Sequence, residues 1–348
     1  MMLFGLVGFA LTFLAVSLAI PAFIFTAECL LAMLPPRRVS RPRSDARYVV
    51  IIPAHDEERG LAETLERLEA SVDDARGSGL VIADNCTDRT AGVARAHGVR
   101  VLERFDPDRR GKGYALAYAV ATLAETPPDV LVFVDADCLV EPGSIDVLVD
   151  ACMASGRPAQ ADYVLEPADD SPRAMIGALA FLVRNRVRPR GLARVGGPCG
   201  LFGTGMAMPY GLFTSLPNAE GHLVEDMWLG VACALMGRAP EFCPEARVTS
   251  RGASGDDAAR AQSTRWEHGH LGVMRTHVPR LLAGDTPSAV ALGLDLAVPP
   301  LALLVGLELA LFVPTLVFAL LGFSALPLAI VVRSLFLVGA SVLLAWFV

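Results

Sequence analysis

Long apolar runs occupy both ends of the chain, and short ones punctuate its middle. Leu3–Leu34, Val298–Leu321 and Ala325–Val348 are each apolar over the roughly 20 residues that a membrane-spanning helix needs. The first has no positively charged start and is about twice as long as the core of a signal peptide, so it reads as a retained anchor. In the middle, Arg47–Pro53 (RYVVIIP) is a continuous apolar run rich in β-branched residues, the pattern of a strand buried on both faces. Leu80–Ala83, Val99–Leu102 and Val130–Val134 repeat that pattern. The stretches between them predict helices: Asp56–Ala70, with Leu61, Leu65 and Leu68 at helical spacing, then Ala91–His97 and Gly113–Ala124. Strands alternating with helices predict an α/β domain with a parallel sheet covered on both faces. Ligands of such sheets bind outside the carboxyl ends of the strands.

Composition sharpens this division. Apolar residues make up 53% of the 348 and charged residues only 19%, with mean hydropathy +0.47. Met1–Leu34 carries a single charge, Glu28, and Leu296–Val348 carries Glu308 and Arg333, so the other charges lie between. That middle has the charge density of a soluble domain. A purely soluble enzyme, a disordered chain and a bundle of spans along the whole length are excluded. The expected units are a span in 1–34, a catalytic domain in 35–261, an interfacial amphipathic segment in 262–297 and a membrane hairpin in 298–348.

Arg37, Arg38, Arg41, Arg43 and Arg47 follow the first span against one acid, Asp45. The positive-inside rule makes that flank cytoplasmic and the protein a multi-pass component of a bacterial-type inner membrane. Arg333 is expected to snorkel to the headgroups, and Glu308 is read without a functional role. No polar cap follows the last span, which leaves a further C-terminal segment open.

Acidic residues recur after the strands: Pro53-Ala-His-Asp-Glu-Glu58, Asp84-Asn-Cys-Thr-Asp88 and Asp135-Ala-Asp137. One acidic turn would be a helix cap. Three at one sheet edge repel unless a cation joins them, and few hard oxygen ligands suit Mg²⁺ or Mn²⁺ held together with substrate phosphates. Lys112, the one lysine in the chain, lies between glycines in Asp106–Tyr114 (DPDRRGKGY), where a compact positive charge suits a phosphate. The seven cysteines form no C-x-x-C pair and read as reduced, buried, small hydrophobes. His268 and His270 have no third ligand at metal spacing.

In order along the chain stand P-A-H-D-E-E, V-I-A-D-N-C-T-D, G-K-G-Y-A-L, V-D-A-D, F-G-T-G-M, V-E-D and Q-S-T-R-W. This series resembles the membrane-bound family 2 inverting glycosyltransferases, the group of cellulose, hyaluronan and chitin-oligosaccharide synthases and ceramide glucosyltransferases. The resemblance runs from about Tyr48 to the C-terminal hairpin. It implies a nucleotide-sugar-binding GT-A (Rossmann-like) domain with one N-terminal and about two C-terminal transmembrane helices. It implies that Pro53, His55, Glu57, Asp84, Lys112 and Asp135 bind the nucleotide sugar, usually a UDP-sugar, with Asp137 and Asp135 holding the metal. Asp226, after Glu225, matches the catalytic base. Gln262, Arg265 and Trp266 match the Q-x-x-R-W motif, and Gly203, Thr204 and Gly205 would line the acceptor side together with Trp266.

The chemistry is consistent with that. A diphosphate leaving group needs charge stabilisation, and the acceptor hydroxyl needs one base. One base with no enzyme nucleophile means in-line displacement and inversion. Gln262, Arg265 and Trp266 at i, i+3 and i+4 share one helix face, although a tryptophan there can also be an interfacial anchor. Asp226 can also serve as an N-cap. Ala174–Val187, interleaved and followed by Arg184, Arg186, Arg188, Arg190 and Arg194, reads as a basic amphipathic helix in the headgroup plane. Arg265–Ala283 reads as a second such stretch. The net charge of −7 and the anchors argue against nucleic acid.

The expected partners are a nucleotide sugar donor, a glycan or lipid acceptor and membrane lipids. Self-association and polysaccharide-assembly partners stay open. Three spans are few for a polysaccharide channel, so transfer of one or a few sugars is expected over processive synthesis for an exopolysaccharide. A nucleotidyltransferase and an inactive membrane scaffold are the other readings.

Overall fold

The computed structural model describes residues 2–37, 39–216, 225–252 and 255–347, apart from certain side chains. Among the described residues, eight strands form one sheet in the order β3-β2-β1-β4-β7-β6-β8-β5. The first four strands are β1 (Tyr48–Ala54), β2 (Gly77–Asp84), β3 (Arg100–Arg104) and β4 (Val130–Phe133). They pair in parallel, with β1 central between β2 and β4. The expectation of a wholly parallel sheet is corrected beyond them. β7 (Met206–Pro209) runs antiparallel to β4, and β6 (Ala159–Glu166) is antiparallel to β7. β8 (Glu241–Arg251) is parallel to β6, and β5 (Cys138–Val140) closes the edge antiparallel to β8.

The sheet is buried on both faces, as the apolar runs require. Val50 and Ile52 of β1 join Leu61, Leu65 and Leu68 of α2 (Leu61–Glu69) in one core. Ile51 points the other way, into a second core with Leu80 and Ile82 of β2 and Leu116 and Leu123 of α4 (Lys112–Leu123). At full burial each such side chain contributes about 1.5–3 kcal/mol. α2 begins at Leu61, not at Asp56, because Asp56 adopts φ 55° and turns the chain. Its carboxylate accepts from the backbone N–H of Thr87 at 2.6 Å, which clasps the loops after β1 and β2 together.

Three helices are long and apolar enough to cross a membrane among the described residues: α1 (Met2–Ala32), α12 (Leu301–Leu320) and α13 (Leu326–Ala345). Ala22, Phe25 and Cys29 of α1 pack with Leu304 of α12 and Val338 of α13. Two polar pairs lie between them, as is favoured in an apolar medium. Ser341 hydrogen-bonds Thr26 at 3.2 Å, and Ser334 donates to Glu308, which is fully buried between the spans. Arg333 is exposed.

Between sheet and spans lie α6 (Pro172–Leu182), a π-helical turn over Val183–Val187, and α7 (Arg188–Arg194). The headgroup-facing reading of this basic stretch is corrected at Arg186, Arg188 and Arg190, which turn inward onto buried acids. Arg186 grips Asp162 of β6 through Nε at 3.0 Å and Nη2 at 2.8 Å, and Asp162 has no exposed surface. Arg188 donates to Glu28 of α1 at 2.5 Å and to Asp295 of α11 (Pro287–Leu296) at 2.7 Å. α7 crosses α1 so closely that a Cβ on Gly191 would stand 2.0 Å from the Glu28 carbonyl oxygen. The linker adds Arg41 to Glu245 and Arg43 to Asp73, so its arginines also strap the anchor to the domain.

Candidate active site

The D-x-D turn after β4 is held from four sides. The Asp135 N–H donates to Thr204 Oγ1 at 3.1 Å, and the Thr64 hydroxyl of α2 donates to the Ala136 carbonyl at 2.8 Å. The Cys138 N–H donates to the Asp135 carbonyl at 3.1 Å. Lys112, at the start of α4, places Nζ 2.5 Å from Asp135 Oδ1 and 2.7 Å from the Gly203 carbonyl oxygen. The backbone of the turn and the Asp135 carboxylate are thereby fixed before any ligand arrives.

Carboxylate oxygens of Asp135 and Asp137 and the Cys138 sulfur all lie within 4.8 Å of one another. Loss of water, then the neighbouring Asp135, raises Asp137 above the ordinary carboxylate range. Burial, then Asp137 and other nearby acids, raises Glu57 in the same direction. Two carboxylates at one point fit a hard divalent cation. Burial pushes the Cys138 thiol well up, and a soft sulfur suits a hard divalent ion less well than the two carboxylates do.

The loops after β1 and β2 build the far wall. His55 donates from Nδ1 to the Asp84 carbonyl at 2.8 Å. Asp84 is buried and receives Arg104 Nη1 at 2.6 Å. Arg104 also donates to the Arg109 carbonyl at 2.8 Å and to Asp106 at 3.2 Å, so one guanidinium joins β2 to the loop that carries Lys112.

Opposite stands Gly203, with φ 89°, a conformation that glycine adopts without strain. A Cβ there would lie 3.3 Å from Asp226 Oδ2, 3.4 Å from Lys112 Nζ and 3.9 Å from Asp135 Oδ2. Asp226, in α9 (Glu225–Leu235), therefore faces the D-x-D turn across one glycine. The side chain of Glu225 lies outside the described residues, as does Val224. Gln262, Arg265 and Trp266 lie on α10 (Asp256–Leu282) and line the same cleft. Trp266 is half-buried at the cleft. Its ring packs on Phe181 at 5.7 Å, and Phe181 meets Tyr163 of β6 edge-on at 4.9 Å.

The cleft has a volume of about 720 Å³ and brings together Pro53, His55, Glu57, Asp84, Lys112, Asp135, Asp137, Gly203, Asp226, Gln262, Arg265 and Trp266. Thr204 and Gly205 stand behind it. Thr204 is fully buried beneath Asp135, and a Cβ on Gly205 would meet Val248 at 2.9 Å. A second cavity of about 450 Å³ adjoins the cleft, sharing Phe181, Arg184, Gln262 and Trp266 with it. Its other walls include Phe25 of α1 and Val298, Leu301 and Ala302 at the start of the hairpin. His270 also lines it and donates from Nε2 to the Leu296 carbonyl at 3.1 Å. Burial pushes the His270 imidazole down to about 3, so it is neutral.

The model of the glycosyltransferase like family 2 matches residues 45–269. The chain belongs to that family. Over 114 residues it is 35% identical to the low-salt glycan biosynthesis hexosyltransferase Agl6 of Haloferax volcanii, a match to 31% of this chain and 26% of that protein. The chain thus aligns with about a quarter of that relative's length. The mannosyltransferase PcManGT from Pyrobaculum calidifontis, solved with GDP-Man and Mn²⁺, superposes with TM-score 0.64 at 16% identity, covering 97% of this chain and 98% of that one. TarS of S. aureus, solved with UDP-GlcNAc, superposes with TM-score 0.50 at 15% identity over 70% and 69% of the two chains. Both likenesses establish the GT-A fold.

Several residues of this glycosyltransferase site escape a motif reading. Thr64, Arg104 and Gln160 touch the site's backbone or its acids from elements far away in sequence. Gln160 is buried, accepts from the Phe202 N–H at 2.9 Å and donates to the Thr204 carbonyl at 3.0 Å, which fixes the loop carrying Gly203. The signal available was a polar residue inside a strand.

Proposed function

We propose that the protein transfers a sugar from a nucleoside diphosphate sugar to an acceptor at the membrane, with inversion, and that Asp226 is the base. The observation that carries this is the convergence of Asp226, Lys112 and Asp135 around Gly203. A base, a phosphate-binding cation and a metal-binding carboxylate share one wall. Pro53, His55, Glu57 and Asp84 hold the nucleoside, with Arg104 locking the Asp84 carboxylate in place. Asp135 and Asp137 hold Mg²⁺ or Mn²⁺, which supplies Lewis-acid stabilisation of the diphosphate when bound. PcManGT was solved with Mn²⁺, which supports the same ion here.

Lys112 and Arg265 neutralise the charge that builds on the leaving diphosphate. Asp226 takes the proton of the acceptor hydroxyl as its oxygen bonds to the anomeric carbon and the bond to the diphosphate breaks. No second carboxylate is needed as nucleophile, which favours inversion. Gln262 orients the sugar, Trp266 offers it an aromatic face, and Gly203 leaves room beside the base. The arginine-rich linker favours a cytoplasmic catalytic domain in an inner membrane, with the donor supplied from that side. The few spans favour transfer of one or a few sugars over a processive synthase.

A screen of UDP- and GDP-sugars with purified protein and Mn²⁺ tests the proposal. Release of the nucleoside diphosphate supports it. Release of pyrophosphate, the product of a nucleotidyltransferase, or no release from any donor would refute it.

A further inference from the structure

The second cavity has a composition that the donor does not explain. Phe25 of α1, Leu301 of α12 and Ile176, Ala178 and Phe181 of α6 give it an apolar side, Asp169, Arg173 and Glu267 lie among its other residues, and it meets the cleft at Arg184. Arg184 sits in the π-helical turn and is only partly exposed. Among the described residues it makes no ion pair, and its Nη2 reaches only Met227 Sδ, at 3.4 Å, a weak acceptor. Its neighbours differ: Arg186 and Arg188 are each paired with buried carboxylates. Desolvation pushes the Arg184 guanidinium down, and Asp226 at longer range opposes that. A desolvated cation without a partner is costly unless an anion arrives.

We infer that the acceptor is a long-chain lipid with a phosphate at its head, bound with the phosphate on Arg184 and the chain in the apolar cavity against Phe25, Val298 and Leu301. This rests on the glycosyltransferase reading of the cleft and names the acceptor class it left open. Phe25 of α1 and Leu301 and Ala302 of α12 put span residues into its wall, so an acceptor chain seated against them stays in apolar surroundings. Met227 adjoins Asp226 in sequence, so a phosphate held at Arg184 lies beside the base: its P–OH group gives its proton to Asp226 as that oxygen bonds to the anomeric carbon and the bond to the nucleoside diphosphate breaks. A free sugar or a neutral glycan would leave both the apolar wall and the Arg184 charge unserved.

The test uses the full chain in detergent micelles with Mn²⁺ and a nucleotide sugar that it hydrolyses. Undecaprenyl phosphate, undecaprenol and inorganic phosphate are titrated separately. The expected result is a saturable change in turnover with undecaprenyl phosphate alone, either as lipid-extractable sugar or as competitive inhibition. Arg184→Gln is expected to raise the half-saturating lipid concentration by about tenfold or more, and by more than it raises the donor KM. Ala178→Trp, which fills the cavity away from the cleft, is expected to abolish the lipid effect and keep lipid-free donor hydrolysis. An equal response to undecaprenol, a response to inorganic phosphate as strong as to the lipid, or a larger effect of Arg184→Gln on donor KM would overturn the inference. Absence of donor hydrolysis in the wild-type chain would instead defeat the glycosyltransferase reading itself.

Discussion

Lys112 Nζ lies 2.5 Å from Asp135 Oδ1, a contact between the start of α4 and the turn after β4. The ammonium counters one of two carboxylates that repel each other, and the same charge faces the place where the diphosphate would lie. Replacing Lys112 with Met keeps the stem and removes both services. The expected outcome is a fall in kcat/KM of about 10²-fold or more, because a charge acting on the leaving group is lost. Steady-state kinetics over donor concentration check it, and Lys112→Arg should rescue only in part, since the guanidinium is larger and planar.

Gly203 tests how tightly the site is built. A Cβ there would crowd Asp226 and Lys112 at 3.3 and 3.4 Å, and φ 89° strains any other residue. Gly203→Ala should cost about 1–3 kcal/mol of stability and a larger fraction of activity. Thermal unfolding and turnover on the same preparation separate the two effects.

The anchor contact is energetic as well as positional. Arg188 bridges Glu28 of the first span and Asp295 of α11 through contacts of 2.5 and 2.7 Å. Arg188→Met leaves the buried Glu28 carboxylate and the half-buried Asp295 carboxylate without their cation and should cost about 3–5 kcal/mol. Scanning fluorimetry in detergent measures this, and Arg333→Met, at an exposed position, should shift the transition far less.

Glu57 and Asp137 both have raised pKa values, by desolvation first and neighbouring acids next. A carboxyl raised in the folded state binds protons there before it does when unfolded. Its ionisation therefore costs stability, which returns as pH falls from the raised value towards the unfolded values of 4.5 and 3.8. Unfolding temperature without metal, measured as pH falls from neutrality towards about 4, should carry a stabilising contribution on acidification that Glu57→Gln with Asp137→Asn removes. Saturating Mn²⁺ should flatten the same contribution by binding the ionised form.

Much of the donor half was legible in the sequence, because β1 to β4 are short apolar runs and the chemistry sits directly after them. The rest was hidden for physical reasons. β6 buries Gln160 and Asp162, which break its apolar pattern, and β5 spans only Cys138–Val140. The basic stretch around Arg188 looked like a membrane surface because its partners, Glu28, Asp162 and Asp295, are remote in sequence and gather only in the fold. Of the F-G-T-G motif, Gly203 lines the cleft, whereas Thr204 and Gly205 support it from behind. A motif names residues that recur together without saying which of them face the ligand.

Asp226 carries the central claim. Asp226→Asn keeps the size and the hydrogen-bonding capacity of the side chain while removing the base. Sugar transfer by this variant is the decisive measurement, made beside Mn²⁺-dependent nucleotide binding by calorimetry. The account predicts turnover reduced by about 10²–10⁴-fold with nucleotide affinity nearly unchanged. Turnover near that of the wild type would contradict it and remove Asp226 as the base.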